Sequence, residues 1–395
     1  MFVDHSRPRA QDAELRIEYL DPVTLARGHV VIDSLSNPAY GGVRTQKELR
    51  PDLLMTLARQ RTLRYHLAHV PMVGAQLALQ YDHDARDFPE VLGRFLDSIR
   101  PFLESSMSLG PDANVQPDLL EQVLQQNRLP SRMHVLQNRQ GWDGERWQRY
   151  QQIIAAPFEY GETVKDVQTA YSVAYAAYTA GTQLALREMS VAVLGAGPFG
   201  MRIARYLNRM GAKVVALGDT MAAVHNANGL RKEVLEADNL VEVDVTSAMY
   251  ITGDEFVSLP VDIIIAASNE DTIAIENVGR LRCGMVVEAA PHSITADAET
   301  VLNARGIHVF PSFAATVGPV FLTDGILRSD VGTPADALAH LTRNVQTTAH
   351  EVVRLSTSLR ISLREAGLRL AFHHRFEKHP LRRVSGRINT VIVDG

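Results

Sequence analysis

Cys283 is the only cysteine among 395 residues. One thiol closes no intrachain disulfide and builds no cysteine metal cluster, so a disulfide scaffold and a zinc-thiolate module are both excluded, and no metal is expected. No apolar run approaches the length that crosses a bilayer, and the opening Met1 to Pro8 lacks the apolar core of a signal peptide. The cytoplasm is the expected compartment, with no membrane partner. Positive charge is not in excess: 40 Lys and Arg against 45 Asp and Glu give a formal charge of -5 at pH 7, which offers nucleic acid no general attraction. Near the end, Arg375, Lys378, Arg382, Arg383 and Arg387 read as a solvated terminus. What remains is an ordinary globular composition, 46% hydrophobic and 22% charged, over a length that predicts two domains.

The most informative stretch runs from Met189 to Asp219. Val191 to Leu194 is a short apolar run ending at Gly195, and Ile203, Leu207 and Met210 then recur at helical spacing, so the glycines join a buried strand to a helix. Gly195 allows a tight turn, Gly197 lets a pyrophosphate approach the helix N-terminus, and Gly200 lets helix and strand pack closely, with Pro198 and Phe199 between them. A second strand, Val214 to Leu217, leads to Asp219 and Thr220, where the dinucleotide fingerprint puts the acid that holds the adenosine ribose. A carboxylate there repels a 2′-phosphate, so NAD is expected over NADP.

Around this core the chain reads as α/β. Residues 14 to 34 alternate as a hairpin, broken at Asp21-Pro22. The loop Asn37 to Arg44 sets two glycines, Gly41 and Gly42, before an arginine, which suits a carboxylate ligand as well as it suits a plain turn. Pro51 starts a helix that runs to about Leu67, a glycine-bearing turn and apolar strand follow at His69 to Leu79, and Phe88 to Leu103 reads as one helix. Ser108 to Asp118 has loop chemistry and carries Asp112 and Asp118. Residues 165 to 187 make an Ala- and Tyr-rich helix that is buried against its neighbours. Strand-like runs at Val241 to Val245, Val261 to Ala267, Met285 to Glu288 and Ile307 to Phe310 alternate with helix-length segments, which implies a mostly parallel sheet. Thr333-Pro334 opens a long helix whose Leu338, Leu341, Val345, Val352, Leu355 and Leu359 ask for a partner helix, in the chain or across a dimer.

Taken together, these segments resemble the glutamate/leucine/phenylalanine/valine dehydrogenase family, most closely its leucine and phenylalanine dehydrogenase branch, from about residue 15 to 330. Asn37 to Arg44 is similar to the family's glycine-pair loop, Thr62 to Leu79 to the segment with its two active-site lysines, and Thr169-Ala170-Tyr171-Ser172-Val173 to the helix start beside the nicotinamide. The resemblance implies an N-terminal substrate-binding and oligomerisation domain over 1–160, a Rossmann dinucleotide-binding domain over 161–332, and C-terminal helices over 333–395 that pack on the N-terminal domain or on a partner subunit. It also implies a small-molecule substrate in a closing cleft, a homo-oligomer, and a cofactor site of Thr169, Gly195, Gly197, Pro198, Phe199, Gly200, Asp219, Thr220, Ala267, Ser268 and Asn269. The substrate site it implies is Gly42, Arg44, Arg64 and Thr316.

Departures from the family cluster in one place. Arg64 stands where the family has its carboxylate-binding lysine, which keeps the charge. Gln76 stands where the catalytic lysine belongs, and an amide orients groups but exchanges no proton near neutral pH. Asp112 matches the catalytic aspartate, with Asp118 as the fallback, and Pro291 replaces the nicotinamide-side asparagine. Three readings stay open. The first is an NAD-dependent oxidoreductase whose altered site, with Asp112 and Gln76 at its centre, serves a simpler hydride transfer on a small amino-acid-like, imine or keto substrate. The second is an ordinary amino-acid dehydrogenase with His66 or His69 as substitute acid or base. The third is a dinucleotide-binding homologue without catalysis that acts in assembly or regulation.

Overall fold

A computed structural model describes residues 15–140, 144–218, 222–236, 249–328, 331–378 and 389–394. The chain divides into two units, Met1–Gln148 with His374–Gly395, and Arg149–His373.

In the first unit, β1 (Leu15–Leu20) and β2 (Arg27–Ile32) form the expected hairpin, followed by β3 (Ala39–Gln46). Next, α1 (Pro51–Leu67) begins at its proline, as anticipated, and leads to β4 (Val73–Gln80). The single helix expected from Phe88 to Leu103 is instead two, α2 (Phe88–Ser98) and α3 (Arg100–Ser105). Pro101 has no N–H to continue the helical ladder, so the chain restarts there. Part of the segment read as a loop is a strand, β5 (Met107–Pro111), before α4 (Pro117–Gln126). Its composition hid it, because a short edge strand paired on one side tolerates both Gly110 and Pro111. The sheet order is β1-β2-β4-β3-β5, with the strand Asn389–Asp394 paired in parallel on the outer edge of β1.

Alternation along β4 divides its side chains between two environments. Leu77 and Leu79 join the core formed with Phe88, Leu92 and Phe95 of α2, whereas Ala78 packs with Leu54, Met55 and Ala58 of α1. Gly74 and Gln76 share the α1 face. A Cβ on Gly74 would overlap the Ala58 carbonyl oxygen and lie 2.8 Å from Arg61 Cβ. Close approach of α1 to β4 therefore requires glycine here, and the Thr62 hydroxyl fastens the contact by accepting the Gly74 N–H at 2.8 Å.

The helices α5 (His134–Gln140) and α6 (Gly144–Ala155) lead towards the second unit, whose sequence begins within α6. There α7 (Val164–Gln183) is closed at its start by a Thr163 and Asp166 capping box. The strand β6 (Ser190–Leu194), α8 (Pro198–Arg209) and β7 (Lys213–Gly218) reproduce the expected strand, turn, helix and strand. Then come β8 (Ala222–His225), α9 (Lys232–Glu236), β9 (Met249–Thr252), α10 (Gly253–Val257), β10 (Ile263–Ala266) and α11 (Ile275–Val278). The last alternation is β11 (Met285–Glu288), α12 (Ala296–Ala304), β12 (His308–Phe310), α13 (Ser312–Ala315) and α14 (Gly318–Leu327). Strand order is β12-β11-β10-β6-β7-β8-β9, parallel from β12 to β7 and antiparallel at β8 and β9. The run Val241 to Val245 lies outside the described residues.

Thr333 caps α15 (Pro334–Leu359) by accepting the Asp336 N–H, and α16 (Leu363–Lys378) follows. The partner that the apolar stripe of α15 asked for is inside the second unit, where it packs on α7 and α14. Ala170, Ala174 and Ala177 of α7 are fully buried, a small-residue face that lets a neighbouring helix come close, and Leu338, Leu341, Val345 and Val352 of α15 are buried as well.

Gly74→Ala is expected to destabilise the first unit by about 1–3 kcal/mol, since backbone must move to admit the methyl group. Urea unfolding of the variant checks this; an unchanged midpoint would show that α1 can recede from β4.

Candidate functional site

In the first unit, four elements bring polar side chains to one point. The parallel register sets Gly42 of β3 opposite Gln76 of β4 and Gly110 of β5. Gln76 is fully buried and its amide is engaged on both sides. Its Nε2 donates to the Gly42 carbonyl at 2.8 Å and to Asp112 Oδ2 at 2.8 Å, and its Oε1 accepts from Arg61 Nη1 at 3.2 Å. The same Arg61 nitrogen donates to the Ala75 carbonyl at 2.5 Å. Arg44 Nε lies 3.5 Å from Asp112 Oδ2, and Asp112 Oδ1 accepts the Ala113 N–H at 2.8 Å. Gly42 is needed for this convergence, because a Cβ there would sit 2.7 Å from Arg61 Nη2 and 2.9 Å from Asp112 Oδ2.

Burial works to neutralise Asp112, but the Arg44 and Arg61 guanidiniums, the Ala113 N–H and the Gln76 amide outweigh it and hold the carboxyl below its ordinary range. Asp112 is therefore an ionised acceptor at neutral pH, not a proton donor. Arg64, one helical turn beyond Arg61 on α1, is pushed down to about 10 by burial and then by repulsion from Arg61, which leaves it charged. Three guanidiniums thus face one carboxylate. Gln76 acts as the amide that orients Asp112, a positioning role. The alternative aspartate, Asp118, is exposed in the first turn of α4. His66 lies on α1 and His69 is exposed just after it.

Arg61 is the residue that reading the sequence missed. Its signal was available: Arg61 and Arg64 are three apart on a helix and so share a face.

In the second unit the three glycines of the turn differ in kind. Gly195 has φ +122°, and a Cβ on it would lie 2.7 Å from the Ala267 carbonyl carbon. A Cβ on Gly200 would overlap the Gly195 carbonyl oxygen, so helix and strand need it bare. Gly197 is exposed, has ordinary extended backbone as the N-cap of α8, and has nothing within 4 Å of where its Cβ would go. Neither the fold nor the backbone demands glycine there. Its side is an open cradle at the start of a twelve-residue helix, with Pro198 at the first position and Phe199 half-buried behind it. Such a place fits a phosphate that approaches the backbone.

Ala267, Ser268 and Asn269 follow β10 and meet this turn, with the Ala267 N–H donating to Leu194 at 2.8 Å. The strand order reverses between β6 and β10, which is where such sheets take ligands. Asp219 and Thr220 lie outside the described residues. Thr169 is half-buried on α7, one turn from Ser172, whose hydroxyl donates to the Ala315 carbonyl at 2.7 Å and accepts the Gly318 N–H at 3.0 Å. Thr316 is buried in the same α13 to α14 turn and its hydroxyl proton is committed to the Ser312 carbonyl at 2.7 Å. A second feature not foreseen is the buried Glu288 at the end of β11, which accepts from Ser312 N at 3.1 Å and from Arg364 Nη2 at 3.0 Å.

The family model for Glutamate/Leucine/Phenylalanine/Valine dehydrogenase matches residues 161–380. Glutamate dehydrogenase of Aeropyrum pernix is 26% identical over 304 residues, which cover 74% of this chain and 69% of that protein. NADP(+)-dependent glutamate dehydrogenase of Pyrobaculum calidifontis is 28% identical over 302 residues, 72% of this chain and 68% of that one. Hetero-hexameric glutamate dehydrogenase from Thermus thermophilus, in its Leu-bound form, superposes with a TM-score of 0.66 at 20% identity over 93% of this chain and 89% of that chain, a likeness of fold. No described helix is long and apolar enough to cross a membrane.

Removing a guanidinium from the cluster weakens the hold on the ionised carboxylate. In Arg61→Met the Asp112 carboxyl is expected to titrate at higher pH, read by carboxyl-carbon NMR. Because its folded value is depressed, Asp112 stabilises the fold above the unfolded carboxylate range, near ~3.9, and loses that contribution as pH falls through the folded value. The acid loss should therefore begin at higher pH in the variant; identical titration curves would remove Arg61 from the account.

Proposed function

The chain belongs to the Glutamate/Leucine/Phenylalanine/Valine dehydrogenase family, and on that footing we propose that it is an NAD-dependent oxidoreductase acting on a small carboxylate-bearing amino, imino or keto compound. Gly197 carries the cofactor half of this reading: it is a glycine without a backbone or packing reason, at a helix start beside the reversal of strand order. Gly195, Gly200, Pro198, Phe199, Ala267, Ser268, Asn269 and Thr169 complete that site in the proposal. The preference for NAD rests on Asp219 and Thr220 as read from sequence, and the NADP(+)-dependent relative makes it a matter for measurement. The bound dinucleotide supplies or accepts a hydride at its nicotinamide ring.

In the first unit, Arg64 and Arg44 offer guanidiniums to a substrate carboxylate. Asp112, kept anionic, faces a cationic substrate nitrogen, and Gln76 with Gly42 holds Asp112 in place. This arrangement favours a substrate that arrives as an iminium. Hydride addition to its carbon sends the C=N electron pair to nitrogen and needs no proton donor, and an ionised Asp112 supplies none. The same lack of a donor supports the third reading, dinucleotide binding without turnover. The buried Thr316 hydroxyl, committed to the Ser312 carbonyl, holds the turn between α13 and α14. A homo-oligomer belongs to the proposal; the Thermus thermophilus protein is named a hetero-hexamer, which supports assembly of several subunits and leaves their identity to measurement.

Fluorescence titration with NADH and NADPH is the direct test, with NADH expected to bind more tightly. Equal affinities would end the NAD preference, and binding of neither would end the oxidoreductase reading. Gly197→Ala should keep the melting temperature, because nothing lies within 4 Å of where its Cβ would go, yet lose about tenfold or more in NADH affinity, ~1.4 kcal/mol. Turnover of preformed cyclic imines without turnover of free amino acids is the expected substrate pattern. The binding-only reading wins if a broad panel shows none.

Lysine at position 76 would meet Arg61. Gln76→Lys alone puts an ammonium beside Arg61 Nη1, so a gain in amino-acid oxidation is expected from Arg61→Met with Gln76→Lys and not from the single change. Equal rates for the single and double variants would contradict this.

A further inference from the structure

At the amino ends of the second unit's strands, opposite the end that carries the glycine turn, the segments entering β6, β10, β11 and β12 line a groove of about 630 Å³. Its floor is apolar: Val261, Leu281 and Ile307 are buried and Cys283 is half-buried. Burial pushes the Cys283 thiol up to about 12 against the pull of Arg305, so the floor carries no charge at neutral pH. On the rim stand three exposed arginines, Arg187, Arg282 and Arg305. The lining holds two acids. Asp262 is engaged, with Oδ2 accepting both the Ser190 N–H and the Ser190 hydroxyl at 3.0 Å, and Glu188 is exposed beside Arg187.

These cations are held in place and not spent on one another's acids. Arg305 donates from Nη1 to the Val278 carbonyl and from Nη2 to the Leu281 carbonyl, each at 2.6 Å, which fixes its plane. Among the described residues, Arg187 and Arg282 have no hydrogen-bond or ion-pair partner for their guanidiniums. Arg187 is presented by a segment flanked by two non-glycine residues in left-handed backbone, Ala185 at φ +56° and Met189 at φ +50°. Such residues cost about 1–3 kcal/mol each and persist where their surroundings determine them. Here Leu186 lies so close over Gly284 that a Cβ there would come within 2.7 Å of Leu186 Cδ2, which sets Arg187 beside the Arg282 to Gly284 segment.

We propose that this groove is a binding site for a small dicarboxylate, whose carboxylates pair with the rim guanidiniums while its hydrocarbon middle lies on Val261, Leu281 and Ile307. The planar fork of arginine matches a carboxylate, and the volume falls in the range that small ligands occupy. A monocarboxylate would leave a guanidinium unused, and inorganic phosphate would leave the apolar floor uncovered. Glu188 on the same rim opposes a ligand of higher charge. The groove and the glycine turn lie at opposite ends of the same strands, so the ligand is an effector that takes no part in hydride transfer, and the inference stands apart from the dinucleotide reading.

The chain's single cysteine supplies the test. Labelling the full chain with [13C]cysteine gives one resonance, on the floor of the groove, that a dicarboxylate bound elsewhere does not touch. Titration at low ionic strength with succinate, adipate and suberate is expected to shift it saturably for at least one chain length. Hexanoate and inorganic phosphate are expected to need about tenfold more, the cost of one unmade charge-assisted hydrogen bond. Arg187→Ala and Arg282→Ala remove exposed side chains and should keep the melting temperature, yet each is expected to raise the half-point of the best dicarboxylate about tenfold.

The absence of a saturable shift with all three dicarboxylates would overturn the proposal. So would phosphate or hexanoate acting at the same concentration as the best dicarboxylate, since the second carboxylate or the apolar middle would then contribute nothing. An unchanged half-point in either arginine variant would show that the rim guanidiniums do not clamp the ligand.

Discussion

A carboxylate that burial alone would neutralise stays ionised only in the company of cations, and the first unit is arranged around that condition at Asp112. Arg44 reaches it from β3, Arg61 from α1, and Gln76 from β4, while the turn after β5 provides the carboxylate itself and the Ala113 N–H. Each contribution needs a backbone concession nearby. Gly74 lets α1 come down onto β4, and Gly42 leaves room where Arg61 and Asp112 meet. No hole is left beside the uncharged Gln76 amide. The neighbouring helix put a guanidinium against the amide.

That arrangement explains why the site is positional in character. Arg61 hydrogen-bonds to Gln76, Gln76 to Asp112, and Asp112 to backbone, so the four groups fix one another's geometry. Hydrogen bonds to charged groups at a buried point are worth more than those at a surface, and a linked set of them resists piecemeal change. This linkage keeps Asp112 ionised between guanidiniums at neutral pH.

Much of the fold was legible because its signals are local. Proline set the start of α1, the Thr333 cap set the start of α15, and a short apolar run bounded by glycine set β6 and the turn after it. Errors arose where the deciding partner is remote in sequence. Nothing in Ser108 to Pro111 marks a strand until β3 is beside it. In the site, charge at Arg44 and Arg64 could be read from the chain, but the pairing of Arg61 with Gln76 depends on how closely α1 meets β4. The glycines of the nucleotide turn separate in the same way. Gly195 and Gly200 answer to backbone and packing, and only coordinates reveal that Gly197 answers to neither.

The sheet of the first unit takes its last strand, Asn389–Asp394, from the far side of the second unit's sequence. During synthesis the residues of β1 are made hundreds of positions before the segment that covers them. Nascent chains fold unit by unit as they emerge, so the second unit has its whole sequence while the first still shows an uncovered β1 edge. An edge of that sort is a template for pairing with a neighbouring chain. Translation to the tail is thus what removes it, and a ribosome that stalls after residue 373 would release a molecule with a finished nucleotide unit and an adhesive, incomplete partner.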